Sequence, residues 1–145
     1  MAADGRFAAR TLVPRPDRHH AAPGLVVAYA ARLLPMADRE ERLALNEALF
    51  REMNERVESG VVATGGEDEP FVVVCECGNI DCLERMRLTP AEYDAAHAHP
   101  AQFVVVDGHV ASDVEHVVAR YQRYVVVRKR GRAGQIAAEL DDVEW

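Results

Sequence analysis

Apolar residues recur at helical spacing between Asp38 and Ser59. The stripe consists of Leu43, Leu49, Phe50, Met53 and Val57, and Glu and Arg residues fill the opposite side. Such a pattern predicts a long amphipathic helix, which Gly60 would end. We expect the apolar stripe to pack on the protein's own sheet. A coiled-coil partner is the alternative, but it would require about three or more sustained heptads.

Short apolar runs in the second half of the chain predict β-strands. They are FVVVCEC (71–77), LERMRL (83–88), QFVVV (102–106) and YVVVRK (124–129). The first two would form a hairpin over residues 71–88, around a tight turn at Gly78 and Asn79. The composition of VVATGGEDEP (61–70), which precedes the hairpin, predicts a loop.

Shorter helices are predicted between and after these strands. In TPAE (89–92), a Thr cap precedes Pro, and a Glu three residues after the cap completes a capping box. Ser112 or Asp113 could cap another helix that runs from Val114 to Tyr121, and residues 133–140 predict a terminal helix. Together with the long first helix, these elements predict an α+β domain with a small, mostly antiparallel sheet of about four strands.

The first 35 residues differ from the remainder of the chain. They contain Pro14, Pro16, Pro23 and Pro35 and show no sustained period, which predicts a flexible N-terminal extension before a single domain at residues 36–145. Five Arg and two Asp give this extension a charge of +3, against −10 for the remaining residues. One hypothesis is that translation begins at Met36.

Composition limits the classes of function. The chain has 145 residues, of which 49% are hydrophobic and 28% are charged, as expected for one globular domain. The net charge of −7 disfavours broad nucleic-acid binding, which needs Lys and Arg against phosphate. No stretch approaches the ~18 to 20 continuous apolar residues that span a bilayer, so we expect a cytoplasmic protein with reduced cysteines.

All three cysteines fall within CECGNIDC, residues 75–82. Because side chains alternate along a strand, Cys75 and Cys77 would project to one face, and the turn could return Cys82 to meet them. This spacing predicts a structural Zn²⁺ site, which usually takes four Cys or His ligands. His109 is the best-placed fourth ligand, since it follows a strand that could lie beside the first.

The other five histidines are weaker candidates for the fourth ligand. His97 and His99 rank next after His109. His116 falls on a predicted helix, and His19 and His20 fall in the N-terminal extension.

Three other interpretations of the cysteines are open. Cys75 could be an ordinary buried strand residue, with the other two cysteines incidental. A disulfide between Cys77 and Cys82 could serve redox chemistry, but the neighbouring carboxylates would raise the thiol pKa values and nothing nearby would lower them. A catalytic zinc would keep a position open for water, with Glu76 or Glu84 as base, and would indicate a hydrolase or deaminase-like enzyme.

One concentrated basic patch follows the last predicted strand. It contains Arg128, Lys129, Arg130 and Arg132. We expect a solvated strand end whose charges discourage edge pairing, and a DNA-binding regulator is the alternative. The chain has no phosphate-binding loop, dinucleotide fingerprint, nucleophile elbow or H-E-x-x-H, so no catalytic residue is predicted.

The chain from about Asn46 to its C-terminus resembles an uncharacterised family of short bacterial proteins with a CxCx4C cluster. The resembling segments are NEALFREMNERV, CECGNIDCLERMRLTPAEY, FVVVDGH and VEHVVARYQRYVVVRK. They include the three cysteines and His109, and the resemblance implies no activity. We therefore predict a small zinc-binding regulatory or protein-interaction module, which would contact an unidentified protein partner through the exposed part of helix 38–59 or the basic strand end.

Overall fold

The computed structural model describes residues 38–142, so the predicted extension and the proposed start at Met36 lie outside it. The elements follow in the order α1 (Arg39–Ala63), β1 (Phe71–Val74), β2 (Arg85–Leu88), α2 (Pro90–Ala96), β3 (Gln102–Val105), β4 (Glu115–Arg120), β5 (Val125–Lys129) and α3 (Gly131–Asp141). These helices and small sheets confirm the predicted α+β class. No helix in the described range is long and apolar enough to cross a membrane.

Within residues 38–142, five strands form two antiparallel sheets, in place of the single sheet of about four strands that was predicted. β1 pairs with β2, and β5 lies between β3 and β4. The sheets meet just beyond β1, where the backbone N–H of Glu76 donates to the carbonyl of Val104 at 2.9 Å. β1 and β2 are shorter than predicted, so residues 75–84 form the connection between them.

Helix α1 begins at a capping box. The Asp38 carboxylate accepts from the N–H of Glu41 at 3.0 Å, and the Glu41 carboxylate accepts from the N–H of Asp38 at 3.1 Å. The prediction that Gly60 ends the helix is wrong, since α1 continues to Ala63. A glycine inside a helix costs only about 1 kcal/mol relative to alanine, which the remaining turns can offset.

The apolar stripe of α1 packs on the protein only in part. Phe50 is buried, but Met53 and Val57 are 47% and 49% exposed. The buried face also carries the polar side chains of Arg51 and Asn54, which donate to backbone carbonyls elsewhere in the chain. These polar contacts, as well as apolar spacing, therefore determine which face of α1 turns inward.

A buried ion cluster joins α1 to β4 and β5. Nζ of Lys129 lies 2.6 Å from Oε1 of Glu47 and 3.0 Å from Oε2 of Glu115. Burial raises the pKa of Glu47 to about 8, although Lys129 acts in the opposite direction and Glu115 adds to the rise. One ammonium group thus faces two carboxylates, and the cluster removes a cation of the predicted basic patch from solvent.

The other cations of the predicted basic patch also contact the same chain. Arg130 donates to the backbone carbonyl of Ser112 at 2.8 Å, and Arg132 pairs with Asp38 at 2.8 Å, which ties α3 to the start of α1. Arg128 is half-buried. Arg130 and Arg132 are nevertheless exposed, so the DNA-binding alternative stays a prediction.

The prediction of a helix after Ser112 or Asp113 is wrong, because residues 115–120 form strand β4. β4 pairs with β5, and the register shifts between Val117 and Ala119 at a β-bulge. Burial along β4 alternates regularly, with Glu115, Val117 and Ala119 on the inward face, but the apolar Val118 is 41% exposed and the following Tyr121 is 56% exposed. The apolar residues therefore do not mark the buried face of the strand, and their spacing resembles that of a helix. The sequence pattern was therefore ambiguous at this element.

The two shorter helices agree with their sequence signals. At the start of α2, the N–H of Glu92 donates to Oγ1 of Thr89 at 3.2 Å, and the N–H of Thr89 donates to Oε2 of Glu92 at 2.8 Å. This geometry is the predicted capping box. α3 confirms the predicted terminal helix and extends it by a few residues at its N-terminal end.

Candidate metal centre

Three thiols and one imidazole meet between the β1–β2 connection and the turn after β3. The ligand atoms of Cys75, Cys77, Cys82 and His109 all lie within 4.8 Å of one another. The cysteines are 0%, 5% and 6% exposed, and the histidine is half-buried. The structure thus brings together the four residues selected from the sequence, and the group could hold a metal ion.

Two distances fit the edges of a tetrahedron around a metal. Nδ1 of His109 lies 3.6 Å from Sγ of Cys75 and 3.5 Å from Sγ of Cys82. Tetrahedral zinc with bonds of about 2.3 Å to sulfur and 2.0 to 2.1 Å to nitrogen places these atoms about 3.6 Å apart. These two pairs of ligand atoms therefore already have the separation that a shared ion requires.

The backbone also acts on the sulfur atoms. The N–H of Val106 donates to Sγ of Cys75 at 3.3 Å, and the backbone at Asn79 and Glu84 acts to lower the pKa of Cys77 and of Cys82, respectively. Hydrogen bonds to an ionised acceptor are stronger than bonds between neutral groups. The backbone therefore stabilises the thiolate form, which is the form that binds metals.

The three thiols differ in acidity. The hydrogen bond from Cys75 lowers the pKa of Cys77 to about 5, and bonds from the Asn79 N–H and from His109 act in the same direction. The same bond to Cys77, together with burial, raises the pKa of Cys75, and burial raises the pKa of Cys82. The expectation that nothing nearby would lower a thiol pKa is therefore wrong for Cys77.

Close packing against α1 positions the loop between Cys77 and Cys82. A Cβ atom at Gly78 would lie 2.3 Å from Cδ2 and 3.1 Å from Cα of Leu43. Nδ2 of Asn46 donates to the Gly78 carbonyl at 2.9 Å. Glycine at this position allows the helix to approach the loop that carries the thiols.

A tight turn after β3 positions the histidine ligand. Gly108 has a φ of 92°, a conformation that glycine adopts without steric cost. The N–H of His109 donates to the carbonyl of Val106 at 3.0 Å, which closes the turn. The predicted turn at Asp107 and Gly108 therefore directs the imidazole back toward the cysteines.

The remaining histidines take other positions. His97 is buried, with Nε2 2.7 Å from Oε2 of Glu76. His99 and His116 are exposed, and the His99 ring accepts from the N–H of Ala101 at 3.1 Å. His19 and His20 lie outside the described residues.

The two carboxylates considered as catalytic bases do not complete the centre. Glu76 is fully buried and directs its carboxylate toward α1, α2 and β3, whereas Glu84 is exposed. Sequence reasoning missed Asn54, a fully buried partner of Glu76. A signal was present, because Asn54 lies on the same helical face as Phe50.

Comparisons with known proteins identify no relative. No protein-family model, curated protein or solved structure matches the chain. The chemistry of this centre is therefore argued from its own geometry.

Proposed function

We propose that this chain is a small zinc-binding module in which Cys75, Cys77, Cys82 and His109 hold one structural Zn²⁺. The observation that carries the proposal is the pair of distances, 3.6 Å and 3.5 Å, from the imidazole Nδ1 to two cysteine sulfurs. Three thiolates and an imidazole form a donor set that suits zinc. Such thiols persist in a reducing compartment, which supports a cytoplasmic location.

The number of protein ligands favours a structural role over catalysis. Four side chains fill a tetrahedral zinc, whereas a catalytic zinc keeps one position for water or substrate. Both oxygens of Glu76 already accept hydrogen bonds from groups in the core. The zinc-dependent enzyme therefore remains the less favoured alternative.

Metal analysis of purified protein tests the proposal. Chain purified without a His tag or added zinc should carry one Zn²⁺ by elemental analysis and native mass spectrometry. Cys77→Ser should abolish the stoichiometric metal, and His109→Ala should weaken its retention. His116→Ala is the matched control, because this exposed histidine lies on β4 away from the cluster. Metal-free protein with three freely titratable thiols would overturn the proposal.

We further propose that the module acts through a protein partner. Support comes from apolar side chains that the described residues leave uncovered: Met53 and Val57 on α1, and Ile80 and Leu83 near the thiols, which are 53% and 82% exposed. Met53 and Val57 lie one helical turn apart and so are neighbours on the surface of α1, and contiguous exposed apolar groups are typical of interaction sites. The zinc would brace the loop that presents Ile80 and Leu83.

Site-specific photocrosslinking in cells tests the partner. A photoreactive residue at position 53 or 57 should capture one and the same protein, and a residue at position 116 should not. Identical products from all three positions, or none from any of them, would contradict the proposed contact surface.

A further inference from the structure

We propose that Glu76 is a positioning residue for the metal centre, and that its buried carboxylate holds Cys75 and Cys77 in ligand geometry before a metal arrives. The inference rests on the proposed zinc site and adds a second set of residues to it. These residues lie behind the thiols and touch no ligand atom.

The carboxylate of Glu76 accepts four hydrogen bonds. The donors are Nδ2 of Asn54 at 3.0 Å, the Tyr93 hydroxyl at 2.6 Å, Nε2 of His97 at 2.7 Å and the N–H of Val104 at 2.9 Å. They come from α1, α2, the C-terminal cap of α2 and β3. Donors from two helices and one strand therefore converge on one side chain.

Burial makes this carboxylate a strong anchor. Glu76 is 0% exposed, and an ionised group removed from water is tolerated only when its lone pairs are satisfied. Moving the carboxylate away from its donors would leave buried polar groups without partners on both sides. The peptide segment that carries Glu76 is thus fixed in one place.

The anchor acts on the two thiols that flank it. In an extended segment, neighbouring side chains project to opposite faces. Glu76 reaches into the core, and Cys75 and Cys77 project toward His109. The backbone adds to this constraint, because the N–H of Cys75 donates to the Glu84 carbonyl and that of Glu76 donates to the Val104 carbonyl, both at 2.9 Å.

The position of His97 strengthens the arrangement. Its Nδ1 lies 2.8 Å from the backbone carbonyl of Tyr93, and its Nε2 lies 2.7 Å from Glu76. Both ring nitrogens thus lie at hydrogen-bond distance from oxygen atoms of the protein itself. The histidine therefore serves the anchor and is unavailable as the alternative metal ligand considered from the sequence.

Zinc affinity of conservative variants tests the role. Glu76→Gln keeps the side-chain shape but places an amide N–H₂ where the carboxylate accepted two bonds, and Tyr93→Phe removes only the hydroxyl donor. Competition with a chromophoric chelator should show zinc binding weakened roughly 10-fold or more for Glu76→Gln and less for Tyr93→Phe. The double variant should lose less zinc affinity than the product of the losses in the two single variants, because both changes act on one carboxylate.

A second readout separates positioning from general destabilisation. Cobalt-substituted Glu76→Gln should show altered intensity in its tetrahedral absorption bands, since the thiols no longer hold one geometry. Ala133→Gly is the matched control: Ala133 is fully buried on α3, an element that supplies no donor to the anchor. It should lower stability and leave zinc affinity and the cobalt spectrum unchanged.

The possible failures are distinguishable. Wild-type protein that binds no zinc would overturn the proposed function itself. Wild-type affinity in Glu76→Gln and Tyr93→Phe, or an equal loss in Ala133→Gly, would overturn only the positioning role. Tyr93→Phe decides the question if Glu76→Gln does not fold, because it removes a single oxygen atom from the same network.

Discussion

The side chain of Asn54 pairs with the backbone of Val74 as a neighbouring strand would. Nδ2 donates to the Val74 carbonyl at 2.8 Å, and Oδ1 accepts from the Val74 N–H at 2.8 Å. A residue of α1 thus completes the hydrogen bonding at the end of β1, next to the segment that carries the cysteines. The helix and the strand are joined by polar bonds as well as by apolar packing.

Loss of this pairing should be costly. Asn54→Ala leaves the N–H and C=O of Val74 without partners, and we expect the free energy of unfolding to fall by roughly 2 to 4 kcal/mol. Urea denaturation in a chelator, followed by circular dichroism, measures the change without a contribution from metal. Ser59→Ala removes an exposed hydrogen bond on the same helix and should change stability by less than about 0.5 kcal/mol. Equal effects in the two variants would contradict the assigned role of Asn54.

Substitution by alanine should change the free energy of unfolding in opposite directions at two glycines. Gly78→Ala forces a methyl group against Leu43, and we expect a loss of about 1 to 3 kcal/mol with weaker zinc binding. A Cβ atom at Gly60, which lies inside α1, would have no neighbour within 4 Å beyond the adjacent residues and the helix's own backbone. Gly60→Ala should therefore raise the free energy of unfolding by about 0.5 to 1 kcal/mol. Thermal unfolding of both variants measures the contrast. A stable Gly78→Ala variant with unchanged zinc affinity would contradict the close approach of α1 to the loop.

Stability should depend on pH through Glu47. Its pKa is raised from 4.5 to about 8 in the folded chain, so the folded state holds a proton that the unfolded state releases between these values. The resulting stabilisation is complete below about pH 4.5 and is lost as the pH rises through about 8. Glu47→Gln should therefore flatten the decline in the free energy of unfolding across this window.

Urea denaturation at several pH values, in chelator and reductant, measures this slope. Glu67→Gln makes the same chemical change at an exposed position and should retain the wild-type slope. Identical slopes in wild type and Glu47→Gln would contradict the assignment.

Metal removal should lower stability without erasing the fold. The anchor around Glu76 uses no metal, so a chelator should leave the far-ultraviolet circular dichroism spectrum nearly unchanged. Free zinc at about 1,000 times its dissociation constant should add about 4 kcal/mol to the free energy of unfolding, and Cys77→Ser should lack this gain. Collapse of the spectrum on chelation would show instead that the metal is required for folding.

Local signals explain what the sequence could predict. The capping box at Thr89 depends on residues three apart, and strand alternation places Cys75 and Cys77 on one face. A turn signal at Gly108 directs His109 back toward them. These features depend on short-range backbone geometry, which a single sequence records directly.

Contacts between distant residues explain what the sequence could not predict. Glu76 meets Tyr93 across 17 positions and Asn54 across 22. Helical spacing places Asn54 on the buried face of α1, but no local pattern pairs either side chain with Glu76. Sequence reasoning therefore considered Glu76 only as a catalytic base and as a neighbour that raises thiol pKa values. The bulge near Val118 could not be predicted from the sequence either, because it is defined by the pairing of β4 with β5.

That bulge also affects how the protein behaves in a crowded solution. Within the described residues, β4 forms an edge of the three-stranded sheet. An exposed edge can act as a template for a strand from another molecule, but the shifted register between Val117 and Ala119 breaks the regular series of donors and acceptors that such a strand would need. The shifted register of β4 thus disfavours strand-to-strand aggregation.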